Sequence, residues 1–253
     1  MKLLLRLVIF ALLLTAGLGC APRKIPIERP PEAVWNHFQS DLNIFSPDQS
    51  FLINSSVTYI TPDQRNRIQA TLWGFTNYPI RMDLRAGLGQ YVAMWYEDEN
   101  VWEAYFPGEN IKYVHHDGSM GASILGYATV FDLKRTAMIM LGSFAGIIPR
   151  DYCKVASYNG KWKFFFQDHS VRSLVLNQDG SVHSLEGQNW KVDFSARRQG
   201  DKFSYFSRLD MQVSRDEALL IRIRSIAVDQ DWDEKQLLLE IPQDAEVLHL
   251  SNY

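Results

Sequence analysis

From Phe51 to Val228 apolar side chains recur at every second position, and a chain written in that period must build extended strands with one face on a core and the other in water. The rule is plainest over 78–85, where Ile80, Met82 and Leu84 alternate with Arg81, Asp83 and Arg85. Strands are expected over 51–60, 67–75, 78–85, 90–96, 101–106 and 111–116, divided by turn signals such as Thr61-Pro62-Asp63 and Asp117-Gly118. Six strands in succession make a meander. After an interruption at 119–149 the period returns over 152–157, 161–167, 171–177 and 182–186, then in Trp190, Val192 and Phe194, and finally over 207–213 and 219–228. About eleven strands with one apolar face cannot lie open in water. The expected fold is therefore mainly β with inserted helices: an incompletely closed antiparallel β-barrel whose concave side is covered or plugged by helices.

Two stretches break the period and read as helices. Pro31 suits a first helical turn, and Val34, Trp35, Phe38, Leu42 and Phe45 follow at spacings of three and four, which predicts one amphipathic helix through residue 45 docked on the sheet. The second stretch is an insertion around 121–145. Its stronger part, 130–141, carries Leu133, Ala137, Met140 and Leu141 along one side with Met138 nearby, and Gly142, Gly146 and Pro149 end it. This insertion is the natural plug. A hydrophobic content of 46%, with seven Trp and eleven Tyr, is ample for the core that such a sheet encloses.

The first nineteen residues have a different grammar. Lys2 and Arg6 precede an apolar run over 7–14 and a small-residue stretch over 15–19, the order of an export leader, and no stretch reaches eighteen uninterrupted apolar residues. Gly19-Cys20 resembles the cleavage point of a bacterial lipoprotein signal, although Gly17 stands where such signals usually carry Leu. The resemblance implies a lipid covalently bound to Cys20. Ala21, rather than Asp, implies the periplasmic face of the outer membrane. The alternative is an ordinary secretory leader that happens to contain a cysteine. Residues 20–31, with four prolines, then form a tether, of which about ten residues at roughly 3.3 Å each would let the domain stand at most about 30–35 Å from the bilayer. Residues 32–253 remain as a single β domain.

Charge and motif content exclude several function classes. The chain holds 26 Lys and Arg against 29 Asp and Glu, and loss of Lys2 and Arg6 with a leader makes it more acidic still, so nucleic acid is not an expected partner. Cys153 would be left without an intramolecular partner. Gly142, Ser143 and Gly146 have the wrong spacing for a nucleophile elbow, and Gly87 and Gly89 join strands without a helix. His115 and His116 are adjacent strand residues, expected on opposite faces, and Glu97, Asp98 and Glu99 read as a solvated hairpin turn. The chain is not expected to be an enzyme or to need a metal or cofactor beyond the lipid on Cys20.

Two features carry positive information. Leu88 stands between Gly87 and Gly89 on a tight hairpin, where it is either an exposed apolar tip or a residue folded back onto the sheet. The interior expected from Leu84, Trp95, Tyr105, Trp190 and Phe194, beneath a helix with Met138 and Leu141, is either a packed core or a cavity for acyl chains.

The order of elements and three short stretches resemble the LolB family of outer-membrane lipoprotein receptors. These are Gly187-Gln188-Asn189-Trp190-Lys191-Val192, the closing pair of Leu209, Met211 and Val213 with Leu219, Ile221, Ile223 and Val228, and the loop Ala86-Gly87-Leu88-Gly89. The resemblance spans residues 34–229, so that 232–253 extend past the family's expected end. It implies a monomer that takes the acyl chains of other lipoproteins from a periplasmic LolA-like carrier, holds them in the cavity, and inserts them into outer-membrane lipid with Leu88 entering the acceptor membrane. A structural or assembly lipoprotein of the same fold, docking a protein partner, is the second reading.

Overall fold

A computed structural model describes residues 29–42, 45–127, 130–200 and 203–251; the expected leader, Cys20 and most of the tether lie outside the described residues. Among the described residues fourteen strands, rather than about eleven, form one sheet. Six come first: β1 (Ser50–Ile60), β2 (Arg65–Phe75), β3 (Ile80–Ala86), β4 (Gln90–Glu97), β5 (Trp102–Phe106) and β6 (Ile111–His115). After the helical insertion come β7 (Lys154–Tyr158), β8 (Lys161–Phe165), β9 (Ser173–Leu176), β10 (Val182–Glu186), β11 (Lys191–Gln199), β12 (Ser204–Gln212) and β13 (Ala218–Val228), and then β14 (Glu246–His249). Their order is β14-β6-β5-β4-β3-β2-β1-β13-β12-β11-β10-β9-β8-β7. Neighbours are antiparallel except β14 with β6, and the two outermost strands, β14 and β7, are not paired with each other. The barrel is incompletely closed.

The two meanders meet where β1 lies beside β13, from Phe51 opposite Val228 to Ile60 opposite Ala218, with a bulge between Asn54 and Ser55. Each half of the concave side is then filled differently. The C-terminal half receives α1 (Pro31–Ser40), whose Trp35 packs against Phe164, Tyr152 and Phe166 at ring distances of 4.9, 5.1 and 6.0 Å. This helix ends at Ser40 and not at residue 45. Asp41 caps it with φ −94° and ψ 0°, and Phe45 reaches Phe203, 4.9 Å away, from the following loop. The N-terminal half receives the insertion, as two short helices, α2 (Gly118–Ile124) and α3 (Leu133–Met140). Asp117 and Asp132 cap them by accepting from the backbone N–H groups of Met120 and Arg135.

The residues beyond β13 form a strap across the outer face. Trp232 packs T-shaped on Trp73 at 5.0 Å, and the Arg81 guanidinium lies 5.4 Å above Trp73 while donating to the Leu238 carbonyl at 2.9 Å. Between them α4 (Glu234–Leu237) is closed by a capping box of Asp233 and Gln236 and buries Leu237 completely. The strap ends as β14, which pairs with β6 and covers what would be an exposed sheet edge. Because Leu237 is fully enclosed, Leu237→Ala should lower stability to urea by about 2–3 kcal/mol, and a loss below about 0.5 kcal/mol would show that the strap is not part of the cooperative unit.

Candidate functional site

The register of the N-terminal half explains an opening in its floor. Ser55 faces Ala70, Ala70 faces Leu84, and Leu84 faces Ala93 across four adjacent strands, so three of the four inward side chains in this row are small. Above the row α3 turns Leu133, Thr136 and Met140 toward the sheet, and the chain before it adds Tyr127 and Phe131. What remains is a cavity of about 430 Å³ with an almost wholly apolar wall. That volume lies within the range of small-molecule sites. A second cavity of about 270 Å³ lies beside α1, but Asp41, Arg197 and Gln199 on its wall make it poorly suited to hydrocarbon.

One rim of the sheet gathers the features expected of a delivery site. The β1–β2, β3–β4 and β12–β13 turns all lie at this end, as the pairings of Ile60 with Arg65, Ala86 with Gln90 and Ile60 with Ala218 require. Cavity-wall residues Tyr59, Asn66, Ile68 and Leu219 sit just inside it. Val92 joins them because the register shifts between Leu84 and Arg85, leaving Val92 as a bulge residue aimed at the cavity. Leu88 tops the β3–β4 hairpin with a relative exposure of 107%, so it does not fold back. Gly87 and Gly89 flank it at φ +31° and +92°, a region that side chains rarely adopt. Beneath the tip the Arg85 guanidinium stacks on Tyr91 at 4.4 Å. The chain enters at the opposite rim, where the Arg29 backbone N–H donates to Gln178 and its carbonyl accepts from the Trp162 indole.

The structure places the expected interior residues unequally. Leu84 and Trp95 line the cavity. Tyr105 does not: Trp95 pairs with Ala104, so Tyr105 points to the outer face, where its hydroxyl donates to Asn110 at 2.9 Å. Trp190 stands behind the wall, T-shaped against Phe131 at 5.1 Å, and Gly187 leaves the room its indole needs. Phe194 belongs to the other half, packed on Phe144 and Phe206 at 5.6 and 5.2 Å. Met138 projects from the side of α3 turned away from Thr136 and Met140, and Leu141 is buried in the core outside the cavity wall. Cys153 is free and exposed.

Glu97 is the residue that the solvated-turn expectation missed. Asp98 and Glu99 do form the turn, but Glu97 is 4% exposed and faces inward like Trp95, two residues before it. Its carboxylate accepts from the Leu133 backbone N–H at 2.9 Å and from the Tyr78 hydroxyl at 3.1 Å, and so ties the first turn of α3 to β4. Burial raises its pKa to about 7, with the nearby Asp132 carboxylate adding to the shift and the hydrogen bonds opposing it. His115 and His116 are not on opposite faces either: β6 ends at His115, and the two rings stack at 4.3 Å. Among the described residues no group of three or more His, Cys, Asp or Glu is placed to hold a metal ion.

No family model and no curated protein matches the sequence. Solved structures do match in shape. A LolA superfamily protein from Nitrosomonas europaea superposes with a TM-score of 0.59 at 11% identity, over 82% of this chain and 98% of the other. At this identity the likeness is one of fold alone. A DUF1329 family protein from Desulfovibrio piger gives 0.55 at 9% identity, covering 83% and 97% of the two chains. A domain from Vibrio parahaemolyticus named for outer membrane lipoprotein sorting gives 0.51 at 10%, covering 81% and 94%. The LolA-like fold agrees with the incompletely closed barrel and its helices; it does not single out the LolB family within that fold.

The Glu97 environment has a measurable consequence. Its pKa rises from 4.5 to about 7 on folding, so the folded chain holds more protons than the unfolded chain between those values, and stability falls as pH rises through that window. Relative to Glu97→Gln, the native chain should lose up to about 3 kcal/mol between pH 4.5 and 7.5, read as urea midpoints at each pH. Parallel pH profiles of the two proteins would contradict the assignment.

Proposed function

We propose that this protein is a LolB-like lipoprotein receptor that holds the acyl chains of other lipoproteins in the cavity beneath α3 and inserts them into the outer membrane. The observation that carries the reading is the fully exposed Leu88 on the same rim as the cavity-wall residues Val92 and Ile68. An apolar tip in water is unfavourable unless a hydrophobic phase receives it, and burial of one leucine side chain returns roughly 1.5–3 kcal/mol. Tyr91 and Arg85 just below the tip suit the headgroup level of a bilayer. The lipid on Cys20 anchors the protein at the periplasmic face, and a periplasmic LolA-like carrier supplies the cargo. Transfer needs no covalent chemistry, only affinities for the chain that increase from carrier to receptor to membrane.

Delivery of a carrier-bound lipoprotein to liposomes tests the reading. Leu88→Glu should leave thermal stability and cargo binding unchanged and lower delivery at least about tenfold, whereas undiminished delivery would refute a role for the tip.

A further inference from the structure

The outer face of the sheet is basic although the chain has a formal net charge of −3. The five adjacent strands β3, β2, β1, β13 and β12 hold seven arginines, no lysine and only two carboxylates, Asp83 and Asp210. Each carboxylate is engaged by an arginine two residues away, Asp83 by Arg81 at 2.8 Å and Asp210 by Arg208 at 2.9 Å. Arg65, Arg67, Arg222 and Arg224 are exposed, and among the described residues none of them forms an ion pair. The register sets the arginines side by side. Arg208 faces Arg222, Arg222 faces Ser56, Ser56 faces Gln69 and Gln69 faces Arg85, one row across all five strands. Their chain neighbours Ile221, Val57, Ile68 and Leu84 line the cavity, so the row points outward. Arg67 joins it by donating to the Ser56 hydroxyl at 3.2 Å, and Arg224 is the extra residue of the bulge opposite Asn54 and Ser55. Two arginines directly opposite each other repel, so the Arg208–Arg222 pair weakens the sheet that contains it. The outer strap leaves the row uncovered, because it is held by Trp73 and Arg81, four residues further from the rim.

We propose that this arginine row docks on the phosphate groups of an anionic lipid surface, so that the protein prefers membranes of net negative charge. The inference rests on the membrane-inserting function proposed above and names the headgroups that its rim selects. The planar guanidinium offers paired donors that match phosphate oxygens, which a lysine ammonium does not. The row crosses five strands about 4.8 Å apart, a width of about 19 Å that can meet several headgroups at once. Its place favours a membrane over an acidic protein. Arg85 is three residues from Leu88, at most about 10 Å along the β3–β4 hairpin. Arg65 and Arg67 lie on the β1–β2 hairpin of the same rim. With Leu88 in hydrocarbon, these guanidinium groups stand at the level where phosphates lie.

The test is cosedimentation of the full chain with vesicles of phosphatidylcholine alone or of an equal mixture with phosphatidylglycerol. Cys20→Ser is present throughout, so that no lipid on residue 20 contributes. At low salt the chain should partition into the anionic vesicles at least about thirtyfold more strongly, since each arginine near such a surface contributes about fivefold, and added salt should erase the preference. Arg222→Gln/Arg224→Gln should reduce the preference at least about fivefold. It should not lower the urea midpoint, because it relieves the repulsion between Arg208 and Arg222. Lys154→Gln/Lys161→Gln removes the same charge from β7 and β8 and should retain the preference. Equal partition into the two vesicles, as docking on an acidic protein would leave, overturns the proposal. So does a preference that survives in the arginine variant or that falls equally in the lysine variant. A chain that prefers anionic vesicles but delivers no lipoprotein contradicts the delivery function and leaves the headgroup preference standing.

Discussion

The pairing of β1 with β13 is the constraint on which the rest of the structure depends. It joins strands more than 150 residues apart and turns two meanders into one curved sheet. The cavity spans that seam, with Ser55 and Val57 on one side and Leu219 and Ile221 on the other. Without the pairing each half would carry an open apolar face and a free edge. Such non-local contacts are slow to form, because closure of the intervening chain costs entropy before the strands begin to repay it.

Within this frame the two halves have opposite solutions for the same concave surface. Under α1 aromatic rings fill the space, with Trp35 in contact with both Phe164 and Phe166. Under α3 the row of Ser55, Ala70, Leu84 and Ala93 leaves space instead. A helix above an unfilled cavity lacks part of the packing that would otherwise hold it down, and Glu97 supplies a polar attachment at its N-terminus. The attachment is a buried carboxylate whose charge is opposed by desolvation and favoured by the Leu133 N–H and the Tyr78 hydroxyl. The covering helix is held by this polar attachment at its N-terminus together with the burial of Ala137, Ile139 and Met140 along its length.

Much of this was legible from period and turn chemistry. The alternation of Ile80, Met82 and Leu84 with charged neighbours gave the inward face of β3, and the spacing of Val34, Trp35 and Phe38 gave the apolar side of α1. What was not legible depends on register or on distant partners. Tyr105 is as aromatic as Trp95, but only the pairing of Trp95 with Ala104 reveals that it faces outward. Glu97 could have been placed by counting two residues on from Trp95; the acidic neighbours Asp98 and Glu99 masked that parity. The strap has no amphipathic period, because its contacts with Trp73, Arg81 and the β6 edge are each made by a different short segment.

The central claim is that the space beneath α3 is a lipid site and not a flaw in a packed core. Lipid extracted from the purified full chain and counted by mass spectrometry tests it most directly, with Ala93→Phe as the variant that fills the floor from its middle row. The account predicts about one acyl-bearing lipid per native chain and none on a folded Ala93→Phe protein. A native protein free of lipid that also fails to take up added acyl chains, or an Ala93→Phe protein that carries as much as the native one, would contradict it.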